Sequence, residues 1–258
     1  MLLRGLPRPI VADQIRAQEE HMLGLKDKVI VVSGGNRGIG AAIVALLEDH
    51  GARVAYTYRT TPGPRGTLAL QGDVTDKAGM EALLDRVEEE LGPIYGAVAN
   101  AAIHTDNLFH TLSEDQWRSV FETNVFGAVN FMAPVTRRLA ERREGSMVFI
   151  GSVVADRGNF GQSNYSATKG AIHAMAKSMA RELARKQVRV NVVAPGFIDT
   201  DMVKGLEDTI RDKLTREIPM RRFGQPEDIA WATAYLLSPV ASAYVTGEVL
   251  QVNGALIT

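Results

Sequence analysis

Short apolar runs alternate with longer amphipathic segments along most of the chain. The apolar runs are rich in valine and isoleucine, which is typical of buried strands. They lie at residues 29–32, 53–58, 68–70, 95–99, 146–150, 188–193 and 248–252. The amphipathic segments predict helices at residues 38–50, 77–91, 114–142, 163–186, 201–217 and 226–237. Because the strands are apolar throughout and are joined by helices, the pattern predicts a parallel sheet covered on both faces, in an α/β fold.

One connection departs from this alternation. Residues 61–66 read Thr-Pro-Gly-Pro-Arg-Gly and stand where a crossover helix is expected. Proline and glycine at this density favour a loop. The pattern therefore predicts that the second and third strands are joined without a helix. Elsewhere, Gly51 is placed to end the first helix and Ser113 to cap the start of helix 114–142.

The first 25 residues differ in pattern from the rest. They contain Arg4, Pro7, Arg8 and Pro9 and no apolar run. They lack the apolar core and the small-residue cleavage site of a secretory signal. We interpret residues 1–25 as an N-terminal extension, either flexible with a short helix or a docking arm for another subunit. Residues 26–258 are expected to form one domain.

Composition narrows the functional classes. The chain has 258 residues, is 45% hydrophobic and carries a net charge of −1. It therefore lacks the overall basic field that attracts nucleic acid or anionic membranes. The absence of cysteine excludes disulfides, thiolate catalysis and cysteine-bound metal. No stretch approaches the ~20 apolar residues of a membrane span. We expect a cytoplasmic protein with no metal, nucleic-acid or membrane partner.

A glycine-rich segment joins the first predicted strand to the first predicted helix. It reads Ser33-Gly34-Gly35-Asn36-Arg37-Gly38-Ile39-Gly40. Glycines at such a turn let the backbone approach a pyrophosphate, and the helix N-terminus offers free N–H groups to the anion. The strand–loop–helix context is the one that a dinucleotide-binding motif requires, although the spacing differs from G-x-G-x-x-G. The segment predicts a dinucleotide site.

The end of the second strand distinguishes NAD from NADP(H). An NAD site places a carboxylate there, whereas this chain has Tyr58-Arg59. Arg37 and Arg59 are both positioned to bind a 2′-phosphate, which a guanidinium recognises well. The pattern favours NADP(H), the alternative being that Arg59 is a solvated loop charge. Asp73, after the third strand, either binds the adenine amino group or caps the next helix.

Four polar residues are candidates for acid–base chemistry. Tyr165 and Lys169 stand four positions apart at the start of a predicted helix and therefore share a face. A nearby ammonium lowers the pKa of a tyrosine, so the pair can exchange a proton with a carbonyl or alcohol oxygen. Ser152 directly follows the fifth strand, whose end opens into the ligand crevice of such sheets. Asn124 is unfavourable inside a helix, which predicts a buried partner such as a water linked to Lys169.

These segments, with Asn100-Ala101-Ala102 and residues 191–196, resemble the short-chain dehydrogenase/reductase family from residue 26 to the end. The resemblance implies a doubly wound Rossmann fold with seven parallel strands in the order 3-2-1-4-5-6-7. It implies that Tyr165 donates a proton and that Lys169 contacts the nicotinamide ribose. It also implies that Ser152 orients the carbonyl and that Asn124 holds a relay water. The residues placed around the cofactor are Ser33, Gly34, Asn36, Arg37, Gly38, Ile39, Gly40, Tyr58, Arg59, Asp73, Val74, Asn100, Ala101, Ala102, Tyr165, Lys169, Pro195, Gly196, Ile198 and Thr200.

Two positions depart from the family pattern. Ser33 stands where the family usually has threonine, a change that keeps the hydroxyl. Ala102 stands where the family usually has glycine, and its methyl group is expected next to the cofactor. Neither change is expected to prevent cofactor binding.

Within the family, the chain is most similar to the 3-oxoacyl-[acyl-carrier-protein] reductases, on segments such as 105–108, 194–202 and 244–248. This implies NADPH-dependent reduction of a 3-oxoacyl thioester, carried by acyl carrier protein or coenzyme A, as in fatty acid biosynthesis. The alternatives are a ketoreductase or alcohol dehydrogenase acting on another small carbonyl and, more remotely, a non-catalytic NADP-binding regulator. Residues 201–217 are expected to cover the substrate.

Two surfaces are candidates for partners. Basic residues at the ends of the two long helices either dock an acidic acyl carrier or satisfy the helix dipoles. They are Arg137, Arg138, Arg142, Arg143, Arg185 and Lys186. The same helices have more apolar residues than one sheet face needs, which predicts a homotetramer or dimer. These are Phe121, Val125, Val129, Phe131, Met132, Ile172, Met175, Met179 and Leu183.

Overall fold

The computed structural model describes residues 23–200 and 207–257. Within them, seven parallel strands form one sheet in the order β3-β2-β1-β4-β5-β6-β7, as predicted. The strands are β1 (Val29–Ser33), β2 (Arg53–Tyr58), β3 (Leu68–Gln71), β4 (Ile94–Ala99), β5 (Gly145–Ile150), β6 (Val188–Pro195) and β7 (Val249–Val252). The order reverses between β1 and β4, which is where ligands bind in open parallel sheets.

Helices cover both faces of the sheet. They are α1 (Gly38–Asp49), α2 (Lys77–Leu91), α3 (Glu114–Phe121), α4 (Gly127–Arg142), α5 (Val154–Arg157), α6 (Ser163–Leu183), α7 (Asp208–Glu217) and α8 (Pro226–Leu237). The nine residues from 59 to 67 that join β2 to β3 contain no helix, as predicted.

Alternate residues of β1 enter two separate cores because successive strand side chains point to opposite faces. Val31 packs into a core with α2, α4 and α6, where Phe131 is fully buried. Ile30 and Val32 pack into a second core with α1 and α8. A continuous apolar strand is therefore required here, and the sequence supplies one.

The predicted helix 114–142 is interrupted. A π-helical turn, Glu122–Phe126, separates α3 from α4. The other long helix ends at Leu183 and continues as a 3₁₀ turn, Ala184–Lys186. Two short elements were not predicted, the 3₁₀ turn Phe109–Thr111 and α5. For the predicted helix 201–217, residues 201–206 lie outside the described residues and α7 begins at Asp208.

The predicted helix signals at Gly51 and Ser113 are confirmed. Gly51 adopts φ +79°, and its N–H and that of Ala52 donate to the last turn of α1. Ser113 and Gln116 form a capping box at the start of α3. The alternative that Asp73 caps α2 is wrong, because the side chain of Asp76 accepts the hydrogen bond from Gly79 N.

The packed domain includes residues before position 26. Leu23 and Leu25 are buried in the second core, and the Ser238 hydroxyl donates to the Leu23 carbonyl at 2.7 Å. The rest of the predicted extension, residues 1–22, lies outside the described residues. Within the described residues, no helix combines the length and apolarity needed to cross a bilayer. No group of three or more potential metal ligands occurs among them either.

Candidate active site

The candidate acid–base residues meet at the carboxyl edge of the sheet. Ser152 follows the end of β5, and Tyr165 and Lys169 occupy the first two turns of α6. Asn124 lies in the π-helical turn between α3 and α4. Each helix runs antiparallel to the strand before it. The start of α6 therefore lies at the same edge of the sheet as the end of β5.

Lys169 is held by a backbone oxygen of the sheet. Its Nζ donates to the Ile150 carbonyl at 2.7 Å and lies 5.5 Å from the centre of the Tyr165 ring. The side chain is only 4% exposed, and burial lowers the pKa of Lys169 to about 8. Lys169 therefore loses its charge just above neutral pH, far below the range of an exposed lysine.

Tyr165 has a pKa opposite to the one that the sequence predicts. The spacing predicts that the Lys169 ammonium lowers it, but burial raises the pKa of Tyr165 to about 12, with the Asp106 carboxylate as the second cause. The Lys169 ammonium donates to the Ile150 carbonyl, whereas the half-buried Tyr165 side chain is partly shielded from solvent, which favours the neutral phenol. The phenol of Tyr165 is therefore protonated at physiological pH.

The side-chain amide of Asn124 has three hydrogen bonds to protein groups. Its Oδ1 accepts from Ile103 N at 2.8 Å, and its Nδ2 donates to Ile103 O at 2.8 Å and to the Thr168 hydroxyl at 3.1 Å. Asn124 is 3% exposed, so these bonds satisfy an otherwise costly buried amide. They join the loop after β4 to α6 one residue before Lys169.

Ser152 is a buried residue whose position is set by a turn. Its Oγ accepts from Val154 N at 3.3 Å. The Val153 N–H donates to the Pro195 carbonyl at 2.9 Å, which fixes this turn to the end of β6. No side chain in the described residues forms a hydrogen bond with the Ser152 hydroxyl, so the hydroxyl proton remains available to a ligand.

The glycine-rich loop is shaped by close backbone contacts. Gly34 adopts φ +65°, and a Cβ on Gly40 would lie 2.1 Å from the Gly34 carbonyl oxygen. The Asn100 amide donates to the Ser33 and Gly34 carbonyls at 3.1 and 2.9 Å. The Ser33 hydroxyl accepts from Asn100 N and Ala101 N. Ser33 and Asn100 therefore hold the loop, a structural role that the sequence pattern did not predict.

The residues present fit a dinucleotide. The start of α1 lacks a side-chain cap, unlike α2 and α3. Its first N–H groups are thus available to a phosphate. Of the residues that the structure describes, only the Thr200 side chain comes within 4 Å of a Cβ built on Gly38, which places Thr200 beside this helix end. Ile39 packs against the second core behind the loop.

Arginines near the end of β2 differ in their partners. Arg37 and Arg59 are exposed, and neither has an acidic partner in the described residues. Arg65, in the same loop as Arg59, pairs with Glu48 and Asp49. The Asn36 amide donates to Thr61 O at 3.1 Å, which joins the glycine-rich loop to this loop. Tyr58 ends β2 and is half-buried.

Asp73 and Val74 form a braced turn after β3. Oδ1 of Asp73 accepts from both N and Oγ1 of Thr75. Val74 is buried, and the Asn130 amide of α4 donates to its carbonyl at 3.0 Å. This role of Asn130 was not predicted. A polar residue on the apolar side of a predicted helix could have indicated that it has a buried hydrogen-bond partner.

Residues 196–198, directly after β6, form the last part of the carboxyl edge of the sheet. Gly196 N donates to Val252 O at 3.0 Å, and a Cβ on Gly196 would lie 2.8 Å from Asn253 Cα. Ile198 is buried and forms a bridge with Gly224. Ala102 does not adopt a positive φ, so its methyl group causes no backbone strain.

The basic residues proposed for docking lie at the opposite, amino edge. Three of them pair with α2: Arg137 with Glu81, Arg138 with Glu81 and Asp85, and Arg142 with Glu88. The other three have no acidic partner in the described residues, and they are Arg143, Arg185 and Lys186. Half of the predicted basic surface is thus neutralised within the chain.

The predicted surplus of apolar residues is smaller than expected. Four of the nine are buried in the core of this chain, namely Phe131, Met132, Ile172 and Leu183. Val129 is 37% exposed, and Phe126, which was not among the predicted residues, is 54% exposed.

Comparison with known proteins agrees with this geometry. A family model described as enoyl-(acyl carrier protein) reductase matches residues 34–256. Acetoacetyl-CoA reductase of Synechocystis sp. is 55% identical over 234 residues, covering 90% of this chain and 98% of that relative. The 3-oxoacyl-[acyl-carrier-protein] reductase of Vibrio cholerae is 41% identical over 242 residues, covering 91% and 99%. A 3-oxoacyl-[acyl-carrier-protein] reductase of Mycobacterium bovis is 38% identical over 227 residues, covering 88% and 92%. The chain therefore belongs to the short-chain dehydrogenase/reductase family, which binds a nicotinamide cofactor.

Proposed function

We propose that this protein reduces the C3 ketone of 3-oxoacyl thioesters with NADPH. The observation that carries the proposal is the meeting of Tyr165, Lys169 and Ser152 beside an uncapped helix end that fits a dinucleotide phosphate. Relatives that match nearly the full chain are named as reductases of acetoacetyl-CoA or of 3-oxoacyl groups. A ketone is therefore the favoured target of reduction.

In this mechanism, Tyr165 is the proton donor. Burial holds the pKa of Tyr165 at about 12, so the phenol is protonated whenever substrate arrives. The bound cofactor supplies the hydride that the C3 carbon receives. The phenol of Tyr165 gives its proton to the C3 oxygen, with the free Ser152 hydroxyl as a second hydrogen-bond donor to that oxygen.

Lys169 stabilises the tyrosinate that forms. Its ammonium is within 5.5 Å of the Tyr165 ring, and an opposite charge at this range favours the ionised phenol. Because burial lowers the pKa of Lys169 to about 8, it can also pass on a proton near neutral pH. Asn124 keeps this part of α6 in place through Thr168.

Arg37 and Arg59 are proposed to bind the 2′-phosphate of NADP(H). Both are exposed without acidic partners in the described residues, and Tyr58-Arg59 stands where a carboxylate would repel that phosphate. The glycine-rich loop would hold the pyrophosphate, Asp73 and Val74 the adenine, and residues 195–200 the nicotinamide end. The braced turn at Asp73 supports the adenine assignment, since Oδ1 is occupied by Thr75 and its other oxygen has no partner in the described residues.

Assembly into a dimer or tetramer is part of the proposal. Two separate regions carry exposed large apolar side chains, which often mark protein interfaces. One includes Phe126 and Val129, and the other includes Trp231, Tyr235 and Tyr244. We expect light scattering after size-exclusion chromatography to give a mass of two or four chains, and a monomer would contradict this.

If an acyl carrier docks on Arg143, Arg185 and Lys186, it does so far from the site of the same chain. The 21 residues of α6 separate Tyr165 from this edge by about 30 Å. Docking there would deliver substrate only to a neighbouring subunit. Charge reversal at Arg185 should then raise KM for the carrier-bound substrate while leaving KM for the coenzyme A thioester unchanged.

NADPH oxidation at 340 nm tests the proposal, with acetoacetyl-coenzyme A and an acetoacetyl carrier protein as substrates. We expect turnover with at least one of them and formation of the 3-hydroxyacyl product by mass spectrometry. NADPH binding without reduction of either thioester would contradict the substrate assignment and leave only the cofactor assignment standing.

A further inference from the structure

A second polar cluster borders the crevice beside Tyr165. His104 and Asp106 lie on the loop after β4, and Gln162 immediately precedes α6. Nδ1 of His104 lies 3.0 Å from Oδ1 of Asp106. The Gln162 amide donates to both Asp106 oxygens, at 3.0 and 3.2 Å. Asp106 therefore joins the imidazole to the segment that carries Tyr165.

The two loops of this cluster are fixed to each other by further bonds. Asn107 N donates to Gly161 O at 2.8 Å, and the Asn159 amide donates to Gln162 Oε1 at 3.0 Å. Asn124 holds the neighbouring Ile103 through both of its backbone groups. His104 thus follows a residue tied to the acid–base site and is itself anchored at Nδ1.

The His104 ring packs edge-on against the Tyr165 ring. The ring centroids are 6.2 Å apart and the planes meet at 72°. The His104 side chain is 32% exposed, so part of the ring is accessible to a bound molecule. Its Nε2 has no partner in the described residues, although Nδ1 is fully engaged. One nitrogen of the imidazole is therefore anchored and the other is free.

The chemistry of this arrangement suits a second carbonyl. An ionised Asp106 only accepts hydrogen bonds, so Nδ1 carries a hydrogen toward it. When the imidazole is protonated, Nε2 is a donor as well. A 3-oxoacyl thioester has two carbonyl oxygens separated by one methylene group. If Tyr165 binds the C3 oxygen, a donor beside Tyr165 is placed for the C1 oxygen.

We propose that His104 is a specificity-determining residue whose imidazole, with a hydrogen on both nitrogens, donates from Nε2 to the C1 thioester oxygen. The inference rests on the proposed function and adds to it a reason why a 3-oxoacyl thioester would be preferred over a simple ketone. Asp106 and Gln162 act as positioning residues for the imidazole.

The test compares two substrates that differ only at C1. Acetoacetyl-coenzyme A has the C1 carbonyl, whereas S-(3-oxobutyl)-coenzyme A has a methylene there and keeps the same ketone and carrier. His104→Asn keeps an amide nitrogen near the position of Nδ1 and removes Nε2. We expect this variant to lose about tenfold in kcat/KM with the thioester, the typical effect of one hydrogen bond, and to be unchanged with the thioether.

His104→Gln and His110→Asn are the matched variants. Glutamine places a donor near the position of Nε2 and should recover part of the loss. His110 is an exposed histidine on the nearby 3₁₀ turn, and its replacement should affect neither substrate. Circular dichroism and NADPH binding by fluorescence should be the same for all four proteins, which shows that folding and cofactor binding are intact.

The outcomes separate the two proposals. A loss restricted to the thioester supports the assignment of His104. An equal loss with both compounds, or none with either, overturns it while the proposed reductase function stands. If the unaltered protein reduces neither compound, the proposed function fails and the role of His104 fails with it.

Discussion

The two edges of the sheet use charged and polar side chains in different ways. At the amino edge, Arg138 is surrounded by acidic residues of α2 and is only 12% exposed. Arg189 donates to the carbonyls of Leu236, Leu237 and Ser238 at the end of α8. These groups are saturated with partners inside the chain. Their contribution is to hold helices to the sheet.

At the carboxyl edge, polar groups are fixed in position but keep one atom free. Tyr165, Ser152 and His104 each have a hydroxyl hydrogen or ring nitrogen without a partner in the described residues. Arg37 and Arg59 have no acidic partner there either. From this difference we expect that removing an amino-edge group costs stability, whereas removing a carboxyl-edge group costs activity.

After loss of the Tyr165 phenol itself, the largest effect is expected at Lys169. Replacement of Lys169 by Met removes the positive charge that stabilises the tyrosinate and should lower kcat by roughly 10²- to 10³-fold. The measurement is the steady-state rate with saturating NADPH and acetoacetyl-coenzyme A. Lys177→Met, an exposed lysine on the same helix, is the control. Equal activity of the two variants would contradict the catalytic role of Lys169.

An intermediate effect is expected at the cofactor end. Replacement of Arg59 by Ala should weaken NADPH binding by roughly 10- to 100-fold, because a charge-assisted hydrogen bond to phosphate is lost. NADH binding should change little. Arg65→Ala is the matched control, since Arg65 already pairs with Glu48 and Asp49. Fluorescence titration of both cofactors measures this, and a similar loss for NADH would contradict the 2′-phosphate assignment.

A smaller effect is expected from pH. Because burial lowers the pKa of Lys169 to about 8, its charge is present below this pH and lost above it. The pKa of Tyr165, about 12, keeps the phenol protonated over the same range. We expect kcat/KM for reduction to fall by at most about tenfold per pH unit above 8.

The control for this profile is Lys169→Arg, which stays charged at all accessible pH values. It should be slower but should lack the decline that Lys169 causes. Any ionisation of the substrate affects both proteins alike and cancels in the comparison. Parallel profiles would contradict the assignment of this decline to Lys169.

The smallest effect on activity is expected at Arg138. Replacement of Arg138 by Met leaves Glu81, Asp85 and Glu88 as neighbouring carboxylates and should lower the free energy of unfolding by about 1–2 kcal/mol. Its kcat/KM should be unchanged. Arg118→Met, which breaks an exposed pair with Glu114, should cost less than about 0.5 kcal/mol. Urea unfolding measures both, and a loss of activity at Arg138 would contradict its structural role.

Acid should weaken the same cluster. Arg137 first and Arg138 second hold the pKa of Glu81 below its usual 4.5. A lowered folded-state pKa means that the stabilisation is present above pH 4.5 and is lost as pH falls through the lowered value. The stability difference between the unaltered protein and Arg138→Met should therefore shrink under acid.

Local patterns were sufficient to predict the strands, the helices and a parallel sheet covered on both faces, whereas the strand order was implied by the family resemblance. The strands are short runs dominated by apolar residues and the helices have their own periodicity, so most of their bounds could be predicted within a few residues. The absent helix between β2 and β3 followed from the prolines and glycines of residues 61–66. The π-helical turn at Asn124 could not be predicted, because it depends on hydrogen bonds to Ile103 and Thr168.

The properties of the site that could not be predicted depend on contacts between residues far apart in the sequence. The types and spacing of Tyr165 and Lys169 were visible, but the direction of the Tyr165 pKa depends on burial that only the packed structure shows. The ion pairs between α4 and α2 join residues more than 50 positions apart, such as Arg138 and Asp85. The sequence alone therefore left docking and helix-dipole roles for these arginines equally open.

A paired substitution of two tyrosines is the most direct test of the proton-donor role of Tyr165 and of the division between the two edges. Tyr165 lies at the carboxyl edge, whereas Tyr95 is buried at the amino edge and donates to Leu237 O at 3.1 Å. Tyr165→Phe should lower kcat by roughly 10²- to 10⁴-fold with unchanged unfolding. Tyr95→Phe should keep kcat and lose about 1–2 kcal/mol in the free energy of unfolding. Full activity of Tyr165→Phe would contradict its role as proton donor and the division between the two edges.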